Sequence, residues 1–321
     1  MNKIFKEVHI SKIDLEDKLF DFAYPGVNEN IISSVKKVGI FMPVILYKKK
    51  DNLIVVDGRK RVFAGMKIGI QKFESIIYNS EDITEYNIFQ KKLYDTLTEK
   101  NRLNIVEISI VLNKLVNDFS LKKADVIREY FPLFNISGYY SDVYFHLCKL
   151  DENIKDYIVE NDLHPNIIKQ FFRFEPSELT LIYSLMKSLK MKGSNLRIIL
   201  TYLEEIIHRD NITLEKFLSI SGIKDVQENK KLTHSQKLEK IKQIVKENRY
   251  PVLYKKEREI KGKLNSIKVP GYIRLSIPEF LEGNAINFNF SVDRKEKLKE
   301  AIEAINYLYH NESFEEILEM L

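Results

Sequence analysis

Val55-Val56-Asp57-Gly58-Arg59-Lys60-Arg61-Val62-Phe63-Ala64-Gly65 is the stretch on which the reading of this chain turns. An apolar, strand-like run meets a glycine, three consecutive cations follow, and a helix-like segment runs on through Met66 to Ile70. That order suits the holding of an anion. Glycine lets backbone approach a ligand closely, the first amides of a helix lack intrahelical acceptors and sit at its positive end, and Lys or Arg adds charge-assisted bonds. The same residues also fit a basic helix start whose charges are simply solvated, so the neighbouring sequence has to decide.

Residues 1 to about 80 read as a small mixed α/β unit. Val8-His9-Ile10 and Ile13 mark a first strand, Asn28 to Val38 has helical apolar spacing, and Gly39 closes that helix. Pro43 to Tyr47 is set to pair with Leu53 to Val56 across a polar turn, and Phe73 to Tyr78 supplies a last strand.

Ser34-Val35-Lys36-Lys37-Val38-Gly39, then Pro43-Val44-Ile45, then Asp57-Gly58-Arg59-Lys60-Arg61 followed by Ala64 resembles, in order and spacing, the N-terminal domain of the ParB/sulfiredoxin superfamily. Arg102-Leu103-Asn104-Ile105-Val106-Glu107 looks like the ParB element that opens the central helical domain. Further on, Leu121 to Tyr130, a turn at Pro132 to Gly138, and Tyr139 to Leu150 are similar to the ParB helix-turn-helix. Leu147 to Ile154 and Ile158 to Leu163 resemble its leucine-rich exit and next helix.

Near the end, Ile286, Phe288, Phe290 and Val292 alternate with polar residues, as do Ile273, Leu275 and Ile277, which reads as a hairpin across Glu282-Gly283-Asn284. Asp293-Arg294-Lys295-Glu296 reads as a capping signature before a helix with Leu298, Ile302, Ile305 and Leu308 on one face. A helix, a hairpin and a helix make a small core, so this unit is expected to pair with a copy of itself. ParB proteins likewise end in a dimerising helix-hairpin-helix domain.

The expected architecture is therefore α+β and multidomain. A ParB/sulfiredoxin-like domain spans 1–82, an all-helical domain 83–221 holds a helix-turn-helix at about 121–150, a polar linker spans 222–236, and a C-terminal dimerisation domain spans 237–321.

Composition narrows the function. At 321 residues, 44% apolar and 30% charged, the chain is a globular protein with room for two or three domains. No run approaches the roughly 20 apolar residues of a membrane span. Lys3, Lys6 and Glu7 stand where a signal peptide is apolar, so a cytoplasmic location is expected, and the resemblance to ParB proteins implies association with the nucleoid. One cysteine, Cys148, excludes an internal disulfide, and six scattered histidines give no metal spacing. The net charge is +5, yet Lys231 to Pro270 holds twelve Lys or Arg against four Glu, which leaves the remainder slightly acidic.

The resemblance implies a nucleotide cofactor, CTP or another NTP with Mg²⁺, or none if that dependence is not carried over. Gly58, Arg59, Lys60 and Arg61 would grip its phosphates. Glu99, Asn101 and Arg102, just before Leu103, are matched at shorter spacing to the family's second nucleotide element. Arg59 stands where the family's hydrolytic branch has a glutamate, so weak CTPase or NTPase activity lacks its expected carboxylate.

Double-stranded DNA is the implied partner. Lys122 and Lys123 would face its backbone, and Tyr139, Tyr140, Ser141 and Tyr144 its groove, against the alternative of a helix pair kept only for packing. Lys255, Lys256, Arg258, Lys261 and Lys263 either track phosphates or form intrahelical ion pairs. A ParA-type partition ATPase is the other implied partner. The implied task is chromosome or plasmid partitioning or organisation. The alternatives are a nucleotide hydrolase or phosphotransferase on the same fold, and a nucleotide-independent transcriptional or nucleoid-associated regulator.

Overall fold

A computed structural model describes residues 3–278, 281–283 and 285–321. The chain divides into two compact units, 3–172 and 173–321. The boundaries expected near 82 and 221 both fall inside them.

In the first unit, five strands form one sheet in the order β1-β5-β3-β4-β2, with β1 Lys3–His9, β2 Ile13–Asp14, β3 Val44–Lys49, β4 Asn52–Asp57 and β5 Lys72–Asn79. The β3–β4 pair is antiparallel, with Tyr47 opposite Ile54, and turns at Lys50 with φ 54°. β3 runs parallel to β5, a pairing that needs a crossover, and helix α2 (Arg59–Lys67) supplies it. Helix α1 (Glu29–Val38) starts where the Asn28 side chain accepts from Ile31 N and stops at Gly39, whose φ of 75° a side chain would resist. Gly65 allows α2 its closeness to the sheet, because a Cβ there would lie 2.8 Å from the Phe73 ring.

The two faces of the sheet have different partners. Val44, Leu46, Val55 and Phe73 form one core with Val62 of α2. On the other face Tyr47, Ile54 and Val56 join Ile88, Phe89 and Leu93 of α3 (Glu85–Lys100), Val111, Leu112 and Leu115 of α4 (Ile105–Asn117), and Val126, Tyr130 and Phe131 of α5 (Lys123–Leu133). This continuous core is why no division falls at residue 82. Helices α6 (Ser141–His146), α7 (Glu152–Glu160) and α8 (Pro165–Phe171) complete the unit. The single helix expected over Tyr139–Leu150 is three short pieces, 3₁₀ turns at Gly138–Tyr140 and Leu147–Lys149 flanking α6.

The second unit opens with α9 (Pro176–Leu189), α10 (Gly193–Asp210), α11 (Leu214–Ile220), α12 (Ile223–Glu228) and α13 (His234–Arg249). The stretch read as a polar linker thus contains α12, which packs against α9, α11 and α13 and buries Ile223. Helix α14 (Pro251–Ser266) follows, then the hairpin β6 (Ile273–Ser276) and β7 (Asn287–Phe290), α15 (Lys295–Tyr309) and α16 (Glu312–Met320). Asn284 of the expected hairpin turn lies outside the described residues. Ile260, Leu264, Ile286, Leu308 and Ile317 form the core of this end.

Helix α15 departs from expectation in two ways. Arg294 occupies the N-cap without a side-chain bond, and Asp293 instead pairs with Lys297 at 2.8 Å. Its inward residues are Ala301, Ala304 and Leu308, while Leu298, Ile302 and Ile305 are 44%, 52% and 41% exposed. Among the described residues no helix is long and apolar enough to cross a membrane.

Candidate functional site

Strand β4 ends at Asp57, and Gly58 turns the chain into α2 with φ 90° and ψ 13°. A Cβ at Gly58 would sit 3.0 Å from Arg61 Nη2, so glycine serves both the left-handed conformation and the guanidinium beside it. The first intrahelical bond runs from Val62 N to Gly58 O at 2.9 Å, which leaves the amides of Arg59, Lys60 and Arg61 without helical acceptors.

Folding treats the three cations of this turn differently. Arg59 is 7% exposed; its Nη1 donates to Asp17 O at 2.8 Å, Nη2 donates to Leu15 O, and Nε lies 3.3 Å from Asp21. Expected as a phosphate ligand, it is a buried clasp on the segment before α1, because a guanidinium fork reaches several acceptors at once. Arg61 donates to Asp57 Oδ2 and Met42 O, each at 2.6 Å. Among the described residues Lys60 has no hydrogen-bond or ion-pair partner, and burial, with Lys100 nearby, pushes its pKa down.

These side chains surround a cavity of about 200 Å³ between the turn and α3. Five cations line it, Arg59, Lys60, Arg61, Lys92 and Lys100, against the three carboxylates Asp21, Asp57 and Glu99. A second cavity of about 150 Å³ shares Asp57, Arg61, Lys92, Thr96 and Glu99 with it and adds the apolar Pro43, Ile45, Val56 and Ile88. A phosphate-bearing ligand with a flat ring would find charge in the first and apolar walls in the second. Glu99 lines both and forms no ion pair among the described residues, so it is the carboxylate best placed to meet a cation carried by such a ligand. Among the described residues, no three His, Cys, Asp or Glu side chains cluster as a metal site on their own.

The helical period explains which α3 residues reach the cavity. Lys92, Thr96, Glu99 and Lys100 recur at i, i+4, i+7 and i+8 and share one face. Asn101 and Arg102, expected beside Glu99, do not line it. Asn101 caps α3 with φ 62°, and both are exposed and line a different, larger groove. Lys92 and Lys100 escaped the sequence reading, although their spacing with Glu99 was available as a signal. Lys100 bonds Glu107 at 3.0 Å, and Glu107, 2% exposed, closes the capping box of α4 with Asn104.

Of the residues expected to meet DNA, Lys122 and Lys123 are exposed at the start of α5. Lys123 lies 3.7 Å from Asp142 and 4.6 Å from the Phe145 ring centroid, and so offsets the carboxylate that would repel phosphate. Tyr139 is 73% exposed, with Lys169 of α8 at 5.6 Å from its ring centroid, while Tyr140 and Ser141 are half-buried. Tyr144 is a correction: it is 6% exposed, packs edge-on against Phe131, and burial raises its phenol pKa, so it belongs to the core.

In α14, Lys255, Lys256 and Arg258 are exposed and form no ion pair among the described residues. Lys261 instead approaches the buried Glu257 at 3.7 Å, and Lys263 bonds Glu316 at 2.5 Å.

No family model and no curated protein sequence matches this chain. Among the solved structures similar to it are two of the C-terminally truncated chromosome-partitioning protein ParB from Caulobacter crescentus. The form complexed with CTP-gamma-S is 14% identical, covers 51% of this chain and 92% of that chain, and gives a TM-score of 0.24. The form complexed to the centromeric parS site is 12% identical, covers 67% and 97%, and gives a TM-score of 0.31. With scores this low, the coordinate likeness assigns nothing by itself, and the functional reading rests on the residues.

Proposed function

We propose that this chain is a ParB-like DNA-binding protein that partitions or organises a chromosome or plasmid and holds a nucleotide, CTP or another NTP with Mg²⁺, at the start of α2. The observation that carries the reading is the cation-lined cavity where β4, Gly58 and α2 meet α3. A strand, a left-handed glycine, unpaired helix amides and a net positive wall together form an anion site. In the same unit α5 and α6 act as the helix-turn-helix, with Lys122 and Lys123 on phosphates and Tyr139 at the groove. The exposed apolar stripe of α15 joins two copies of the chain. A ParA-type ATPase and a nucleoid location complete this reading.

Hydrolysis lacks a carboxylate in the turn, where Arg59 is spent on backbone carbonyls and Asp21. The consumption of Arg59 and Arg61 also favours a second reading, a nucleotide-independent DNA-binding regulator. Calorimetric titration with CTP, ATP and GTP, with and without Mg²⁺, separates the two. Saturable heat with one of them is expected; silence with all three leaves the regulator.

A further inference from the structure

Lys92 stands mid-way along α3 with its ammonium against an aromatic ring. Nζ donates to Phe20 O at 2.6 Å and lies 4.7 Å from the Phe22 ring centroid. An ammonium has three N–H donors, so two remain. The carboxylates that act on it are Asp21 and Asp57, yet Asp21 is held by Arg59 and Asp57 by Arg61, and Lys114 and Arg59 oppose its charge. Glu99 and Lys100 share its face of α3, and Lys60 of α2 lines the same cavity. Burial without a dedicated counter-charge lowers the Lys92 pKa to about 8.

A lysine kept only for packing would place its head in water or against a carboxylate. Lys92 does neither, and Lys60, on the opposite wall, is undercompensated in the same way. Two half-buried ammonium groups from different helices therefore share one cavity at the open N-terminus of α2, while the arginines of the turn are already bonded.

We infer that the polyphosphate of a nucleotide is gripped in this chain chiefly by Lys92 and Lys60, with the turn's arginines shaping the site, an assignment that rests on the nucleotide reading above. Ligand binding then ties the start of α2 to α3 through two lysines.

The test is calorimetry of the full chain with inorganic tripolyphosphate and with CTP, on wild type, Lys92→Met and Lys60→Met, each checked by thermal melting. Each variant is expected to bind at least about tenfold more weakly, the value of one lost charge-assisted bond. Wild-type affinity is expected to fall between pH 7.5 and 9.5 as Lys92 loses its proton, and that fall to shrink in Lys92→Met. Unchanged affinity in Lys92→Met overturns the assignment while leaving nucleotide binding intact. Should Lys92→Met not fold, an unchanged Lys60→Met affinity or a flat wild-type pH profile overturns it instead. Wild type that takes up neither probe overturns this assignment and the nucleotide reading together.

Discussion

Arg59-Lys60-Arg61 and Lys255-Lys256-Glu257-Arg258 look alike as basic runs, and folding uses them in opposite ways. At the start of α2, two of three cations turn inward to carbonyl and carboxylate oxygens, and only Lys60 stays unbonded among the described residues. On α14 the acidic residue turns inward, with Glu257 at 5% exposure held by Lys246 and Lys261, while Lys255, Lys256 and Arg258 point outward. A run of cations therefore states how much charge the chain carries. Where that charge is available depends on which acceptors the fold brings to it.

The largest expected effect breaks the inward side of this comparison. Arg59→Ala removes a buried fork that serves Asp17 O, Leu15 O and Asp21 and strands all three acceptors. Urea unfolding should show a loss of about 3 kcal/mol, the range for breaking a buried, hydrogen-bonded charge pair. Arg59→Lys should recover little of it, since a point charge cannot span the fork. A loss below about 1 kcal/mol would return Arg59 to the role of a solvent-facing phosphate ligand.

A second contrast, between α4 and α15, sharpens the point for apolar residues. Helix α4 buries Val106, Val111, Leu112 and Leu115 completely. Helix α15 turns Ala301 and Ala304 inward and leaves Leu298, Ile302, Ile305 and Tyr309 outward at spacings of four, three and four, a seam suited to a second helix. Ile302→Asp should weaken self-association at least about tenfold in sedimentation equilibrium. Because Ile302 is 52% exposed, the fold of each copy should stand. An unchanged association constant would remove this stripe from the proposed dimer.

What was legible in the sequence follows the same division. The β3–β4 hairpin, α1 with its Asn28 and Gly39 ends, and the Gly58 turn were readable because each depends on local pattern or backbone conformation. The fate of Arg59 was not, since Leu15 O, Asp17 O and Asp21 lie about 40 residues away in the chain. The burial of Tyr144 was not legible either, since α6 is a short piece between two 3₁₀ turns and buries three consecutive residues, Val143, Tyr144 and Phe145, which the spacing of one long amphipathic helix does not foretell. Lys92 carried no family motif, yet with Thr96, Glu99 and Lys100 it forms a plain helical face that points at the turn. Lys261 and Lys263 read like Lys255, and only Glu257 and Glu316 set them apart.

The smallest effect on stability tests the outward side of the first comparison. Lys255→Ala, Lys256→Ala and Arg258→Ala together remove three cations that form no ion pair among the described residues, so unfolding free energy should shift by no more than about 0.5 kcal/mol. If these groups lie on DNA phosphates, the slope of log binding constant against log salt should flatten by up to about 0.9 for each phosphate no longer neutralised. The same substitutions at Lys261 and Lys263 should cost no more than about 1 kcal/mol, because both lysines are solvent-accessible and Lys246 still holds Glu257, and they should leave the salt slope nearly unchanged. An equal change of slope in both sets would mean that the ion pairs open on DNA. No change in the first set would leave the electropositive face of α14 outside the DNA interface and the whole of recognition with α5 and α6.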